Sequence, residues 1–427
     1  MPQQHRPKIL ISGSGIAGSV LAFWLLRAYP LAEITIVERA PSLRLTGASV
    51  DIRNSAIDIV KLMGLEDEIK KHTTRERGVH CVDRHGNVAW TLNASGREDM
   101  QSVTSEFEIF RGKLAAIFLE PIKDKVAFVF DEMVKSFVQR EDSVHVEFSN
   151  GKKAEAYDLL VAADGVGSRI RGQMLSTPWS DQIRDEGCYA SYFTIKSDLL
   201  EGSRMAKWFN GTNGRVVFLR PDPDPRGRTR AYLVNVTPDG DTTLSQRLKD
   251  GLEQGHEAYQ NLMEELFKDA GWISKEVIEG MRGSDDFYCS IFAQTRSPRL
   301  CDGRVVLIGD AGYATPGIGT SLAIIGGYIL AGEILRHDCD VRPALEAYEG
   351  LMQPFVQTQQ RSTNMMRYLN PQTEWGIVVR NTFMRVATFL MFDYLAMLSA
   401  AWLGFTEKKL VMPKYEWPAE RRSSDSS

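Results

Sequence analysis

Gly13-Ser14-Gly15-Ile16-Ala17-Gly18 is a G-x-G-x-x-G run, and an acidic residue, Glu38, stands twenty positions beyond its last glycine. Each residue type has a mechanical use. Gly13 permits a tight turn, Gly15 lets backbone N–H groups of the loop approach a pyrophosphate, and Gly18 lets a helix pack closely on a strand. The helix start adds positive potential, and Glu38 can accept hydrogen bonds from a ribose. Two further sites sit at strand ends. Asp164-Gly165 precedes Ser168, Arg169 and Arg171, which read either as phosphate contacts or as a surface turn with solvated arginines. Gly309-Asp310-Ala311 precedes Pro316-Gly317-Ile318-Gly319 and a helical run, Thr320–Leu335. That second helix start would stabilise a ring system that gains negative charge on reduction, with Asp310 holding a sugar or ribityl hydroxyl.

The elements needed to position these residues are legible. Lys8–Ser12, Ser19–Leu26 and Glu33–Glu38 read as strand, helix, strand, a βαβ unit with a parallel sheet. Ser55–Lys70 is helical with a break at Gly64, and Lys113–Leu119 is a helix. Val79–Val82 and Asn87–Leu92 form a hairpin, Val144–Phe148 and Ala156–Ala162 are strands, and Arg304–Ile308 is a buried strand. Between them the texture changes: Tyr189–Lys196, Arg215–Arg220 and Arg230–Thr237 alternate apolar and polar residues as antiparallel strands do, around an exposed loop at Pro221–Gly227. Leu244–Gly280 is helical. The expected fold is α/β, a Rossmann-type nucleotide-binding domain interrupted by a mostly antiparallel domain. At 427 residues, two or three packed units are expected. The glycine run alone suits either FAD or NAD(P).

In order and spacing, Gly13–Gly18 with Glu38-Arg39, Asp164-Gly165 and Gly309-Asp310-Ala311 resemble the class A, single-component FAD-dependent aromatic monooxygenases, over about Ile9 to Leu335. Gly47–Arg53 and Thr320-Ser321-Leu322-Ala323 resemble the branch with tetracycline-inactivating monooxygenases and related microbial enzymes of secondary metabolism. The resemblance implies FAD, with Gly13, Ser14, Gly15, Ile16, Ala17 and Gly18 at the pyrophosphate, and Glu38 and Arg39 at the adenosine end. It also places Arg53, Arg111, Asp164, Gly165, Asp310, Ala311 and Gly317 around the cofactor. It implies NAD(P)H as transient reductant, and transfer of one oxygen from a flavin C4a-hydroperoxide to an aromatic or polyketide-like compound. No catalytic base is required of such an enzyme, because the cofactor performs the hard step. The chain departs from the family pattern at Gly312-Tyr313, at Ser321 and in a shorter loop at Pro316-Gly317.

The implied division is an FAD-binding domain of residues 1–76, 101–182 and 285–370, a substrate domain of residues 77–100 and 183–284, and a C-terminal helical segment, 371–420. Substrate-facing candidates on the antiparallel strands are Tyr192, Phe193, Trp208, Phe218, Tyr232 and Asn235. A flavin-dependent oxidase or halogenase and a non-enzymatic flavin-binding protein are the alternatives; a halogenase Trp-x-Trp pair is missing from the sequence.

Composition narrows the rest. The net charge of −4 offers no field for a nucleic-acid backbone. Seven histidines show no ligand spacing, so no metal is expected. Five scattered cysteines and a short polar N-terminus fit a cytoplasmic location. Thr382–Gly404 approaches membrane length but carries Arg385 and Asp393, and reads as a buried or docking helix, with membrane-surface contact as the second reading. Arg421–Ser427 reads as disordered.

Overall fold

The computed structural model describes residues 6–43, 47–74, 76–93, 107–223, 226–238, 240–360, 365–389 and 410–418. Asp224 and Pro225 of the expected loop, the part of Thr382–Gly404 beyond 389, and 421–427 lie outside the described residues.

One sheet of six strands runs in the order Cys301–Asp302, Val305–Leu307, Leu159–Ala162, Lys8–Ser12, Glu33–Glu38, Ala127–Phe130, parallel except at its Cys301–Asp302 edge. Strand alternation splits its apolar residues between two layers. Ile9, Ile11, Ile34, Ile36, Val161 and Val306 pack under the helices Ile16–Ala28, Gly319–Arg336 and Val341–Gln359. Leu10, Val37, Leu160 and Leu307 pack on the opposite side against the small sheet of Val134–Gln139, Val144–Phe148 and Glu155–Tyr157. The strand expected over Ala156–Ala162 is therefore broken. Asp158 turns the chain from one sheet to the other, its N–H donating to the Lys8 carbonyl and its carboxylate accepting from the Lys8 N–H at 2.7 Å.

A second sheet has seven strands in the order Tyr288–Thr295, Ile183–Ile195, Thr229–Val236, Arg215–Pro221, Met205–Asn210, Gly78–Val82, Val88–Asn93. It is mixed, because Met205–Asn210 pairs parallel with Gly78–Val82 while every other neighbour is antiparallel. That parallel joint attaches the early hairpin to strands more than a hundred residues later. The helical stretch resolves into Thr242–Gln254, His256–Phe267 and Ser274–Arg282, broken at Gly255, whose φ of +102° ends the first helix. These three helices cover one face of the sheet, with Met263 and Phe267 of the middle helix packed over Phe193, Leu219 and Leu233.

The C-terminal helix Glu374–Phe389 docks on the hairpin edge: Asn381 accepts from the Trp90 indole at 3.0 Å, and Arg385 donates to the Ala89 carbonyl at 2.9 Å. Its outward side carries Trp375 and Phe383, both exposed. Among the described residues, no helix is long and apolar enough to cross a membrane.

Candidate active site

The glycine bend is held by contacts that only glycine tolerates. Gly13 has a φ of +112°, and its N–H donates to the Val37 carbonyl at 2.8 Å. A Cβ there would lie 2.3 Å from the Ala163 carbonyl oxygen, and one on Gly18 would lie 2.2 Å from the Gly13 carbonyl oxygen. Gly15 differs: it begins the helix Ile16–Ala28 in extended backbone, no side chain caps that helix, and the space beside its Cβ position is open. The helix start is thus left with free N–H donors facing a cradle, which is what a pyrophosphate needs. Glu38 closes the bend, one carboxylate oxygen accepting from the Ser14 N–H and hydroxyl, each at 3.0 Å, and the other from the Ala40 N–H. Arg39 is exposed beside it.

The second helix start comes to the same place. A Cβ on Gly309 would lie 2.8 Å from the Ala17 Cβ, so the turn after Val305–Leu307 sits directly on the first turn of the glycine-bend helix. The next residue, Asp310, lies against the first residue of Gly319–Arg336, with a carboxylate oxygen 3.2 Å from where a Gly319 Cβ would stand. Gly317 is exposed with a φ of +86° and open space around it. Ala311 is fully buried, so its methyl belongs to the core. The departure at Tyr313 is inert toward the site: its hydroxyl packs on Gly326 and meets the Tyr348 hydroxyl at 3.1 Å, deep in the core.

Asp164 and Gly165 form the third wall. Asp164 Oδ1 is shielded from solvent with no hydrogen-bond partner among the described residues, and burial pushes the carboxyl up to about 6, opposed by Ser168, Arg171 and Arg39. An orphaned polar atom beside an open cradle fits a polar ligand group. Arg171 fits neither expected reading, phosphate contact or solvated surface arginine. It is fully buried and donates to the carbonyls of Ala311, Val166 and Trp179 at 2.7–2.8 Å, stapling the loop to the helix Asp310–Tyr313. Arg169 is exposed.

The strand Ser49–Asp51 links this cradle to the second sheet. Ser321, in the first turn of Gly319–Arg336, accepts from the Arg53 N–H at 2.9 Å, and the Arg53 guanidinium pairs with Asp51 at 2.7 Å. Ser321 therefore ties the strand's exit to the helix start. Arg111 opens the helix Arg111–Leu119, and its N–H donates to the Ala48 carbonyl at 3.0 Å. On the strand's far side, the Ser49 N–H donates to the Tyr232 hydroxyl at 3.1 Å.

Tyr232 belongs to a cross-strand row. Tyr288, Tyr192, Tyr232, Phe218 and Trp208 are paired in register across five strands, so all five rings stand on one face. Neighbouring ring centroids are 4.8–6.0 Å apart. This face packs with Ala48 and Met366, opposite the helix-covered face. Phe193 and Asn235 stand on the other side: Phe193 packs among the three helices, and the Asn235 amide reaches Met263. They are removed from the substrate-facing set, because residues adjacent in a strand, such as Tyr192 and Phe193, point to opposite faces. Tyr288 was missed in sequence, and only strand pairing reveals its row.

A Rossmann-type bend, a second helix start on the same sheet edge and an apposed aromatic face together make a dinucleotide cradle beside a surface for a ring-bearing compound. A family model described as FAD binding domain matches residues 6–332, and the chain belongs to that family. The FAD-dependent monooxygenase asL4 of Sarocladium schorii is 32% identical over 418 residues, covering 91% of this chain and 94% of that protein. Monooxygenase CTB7 of Cercospora beticola is 32% identical over 395 residues, covering 90% and 92%. The crystal structure of tetracycline destructase Tet(51) superposes with a TM-score of 0.75 at 28% identity, over 97% of this chain and all of that one. The chain is an FAD-dependent monooxygenase.

Proposed function

We propose that the enzyme inserts one oxygen atom into an aromatic or polyketide-like small molecule lying on the Tyr288–Trp208 row, with NAD(P)H as reductant. The observation that carries this reading is the row itself, five aromatic rings in register on one sheet face, which meets the strand Ser49–Asp51 through the Tyr232 hydroxyl, a strand that Ser321 ties to a helix start. Rings held edge to face on a rigid sheet, 72° and 76° apart on either side of Tyr232, offer an aromatic substrate pre-ordered contacts with little entropy to lose. FAD, when bound, supplies reducing equivalents from the nicotinamide and activates O₂.

The chain's own residues would bind, orient and exclude water. Gly13–Gly18 would hold the pyrophosphate, Glu38 and Arg39 the adenosine end, and Asp164, Gly165 and Asp310 hydroxyls between the helix starts. The N-terminus of Gly319–Arg336, with Gly317 before it, would stabilise negative charge on the reduced ring. Arg53 and Arg111 flank the strand along which the ring would lie. The division into domains 1–76, 101–182 and 285–370 against 77–100 and 183–284 belongs to the same proposal.

The test is direct. The purified yellow protein, given phenolic and polyketide compounds, is expected to consume NADPH and O₂ faster with some of them and to yield a product heavier by one oxygen. A panel that leaves oxidation unchanged, or yields only hydrogen peroxide, overturns the hydroxylase reading in favour of an oxidase.

A further inference from the structure

The face that carries the aromatic row also carries two arginines in register, Arg220 and Arg230, immediately beside it. A free guanidinium at the edge of an aromatic surface would be a carboxylate receptor. Neither is free. Arg220 is 4% exposed, and four of its five N–H groups are engaged: Nε and Nη2 with the two oxygens of Glu76 at 2.6 and 2.8 Å, Nη2 with Glu108 at 2.5 Å, and Nη1 with the Ser49 hydroxyl. Arg230 pairs with Asp222 at 2.7 Å and Asp286 at 2.9 Å and lies over the Phe110 ring.

Three carboxylates, Glu76, Glu108 and Asp51, stand here against two guanidiniums, Arg220 and the Arg53 that pairs with Asp51, which leaves one acidic group in excess. Glu76, Glu108 and Arg220 are all at least nine-tenths buried, and Asp51 is paired across the strands with Glu108. Burial, Glu76 and Asp51 raise the Glu108 carboxyl above its ordinary range, against the pull of Arg220. One oxygen each of Glu108 and Asp51 has no hydrogen-bond partner among the described residues. Ser49 connects this cluster to the site, since its hydroxyl meets both Arg220 and the Tyr232 hydroxyl.

Resting on the reading of the row as a substrate platform, we infer that the Glu76–Arg220–Glu108 clamp sets the substrate's charge class, admitting neutral or cationic aromatic compounds and rejecting those with a carboxylate beside the ring. A substrate anion entering here would meet a guanidinium already neutralised and a surplus of acidic oxygens in a low-dielectric setting, where like charges are costly. Uncharged hydroxyl and carbonyl groups meet no such penalty.

The experiment titrates the FAD-loaded protein with a matched pair of probes, 1-naphthol and 1-hydroxy-2-naphthoate, and follows perturbation of the flavin absorbance band. The native protein is expected to bind the neutral probe at least tenfold more tightly. In the Glu76→Gln/Glu108→Gln double variant, the freed guanidinium is expected to raise affinity for the carboxylate probe at least tenfold and to change the neutral probe less than threefold. Glu108→Gln alone replaces a carboxyl with its neutral isostere, leaves the Glu76–Arg220 pair in place, and is expected to shift the ratio about threefold, so loss of the double variant does not block the test. Equal affinities in the native protein, or an unmoved ratio in Glu108→Gln, overturn the inference while the platform stands. A flavin band that neither probe perturbs overturns the platform and the inference together.

Discussion

The Cβ position of Gly309 and the Cβ of Ala17 lie 2.8 Å apart, so residues nearly three hundred positions distant touch where the two helix starts converge. Gly309 also has a φ of +58°. Gly309→Ala therefore adds backbone strain to a collision with the first turn of Ile16–Ala28. The expected outcome is a loss of at least tenfold in FAD affinity, read from the 450 nm to 280 nm absorbance ratio after dialysis, with a lowered thermal midpoint. A variant that keeps native flavin content shows that the contact does not position the cradle.

Gly15 and Gly18 separate cofactor binding from folding. At Gly15 the backbone is extended and the space is open, so Gly15→Val can fold and intrude only on the ligand. Its apo form is expected to unfold within about 1 °C of the native apo protein, while FAD binding weakens tenfold or more. At Gly18 an added Cβ meets the Gly13 carbonyl oxygen at 2.2 Å. Gly18→Ala is therefore expected to lower the apo midpoint, by about 1 °C per kcal/mol lost in a chain of 427 residues. Calorimetry of the two apo proteins checks the contrast.

Asp164 gives the site a pH signature. Its carboxyl titrates in the folded protein at about 6, above its ordinary value, so the folded state favours the protonated form. Stability from this group is present below the ordinary aspartate range and is lost as pH rises through about 6. Asp164→Asn removes that cost, and the apo variant is expected to be more stable than the native apo protein at pH 8 by about 2 °C and indistinguishable at pH 4. FAD affinity is nonetheless expected to fall, because a neutral amide oxygen is a weaker acceptor for a cofactor hydroxyl than the orphaned carboxylate oxygen. Melting curves at the two pH values and FAD titration read both effects.

What the sequence made legible was local. The glycine run, Glu38 and the strand-end acids could be placed because turn, helix start and strand end are adjacent in the chain, and the FAD-binding family followed from their order. Long-range pairing was not legible. The strands Ala127–Phe130, Val134–Gln139 and Tyr288–Thr295 gave no decisive period, and the parallel joint of Met205–Asn210 with Gly78–Val82 depends on contacts that no window contains. An arginine at a helix start reads equally as a phosphate contact or as a solvated surface charge, and Arg171 is neither. Only its burial against three carbonyls identifies a staple. Tyr192 and Phe193 are equally aromatic in sequence, and only the strand's period of two sends them to opposite faces.

That alternation yields the sharpest separation of roles, since Tyr192 and Phe193 share a backbone and little else. Phe193 is 2% exposed among the three covering helices and stacks near Phe287, with ring centroids 6.2 Å apart. Phe193→Ala is expected to cost about 3–5 kcal/mol of stability through the cavity it leaves. The protein that remains folded should keep its substrate selectivity. Tyr192 lies in the row with Tyr232, ring centroids 4.8 Å apart. Tyr192→Leu removes a flat ring from the platform. It is expected to raise KM for aromatic substrates several-fold and to divert more NADPH to hydrogen peroxide, because a loosely held substrate is reached less often before the oxidant decays. Peroxide yield per NADPH, measured for both variants, checks the assignment: equal diversion in the two would place the platform on the wrong face of the sheet.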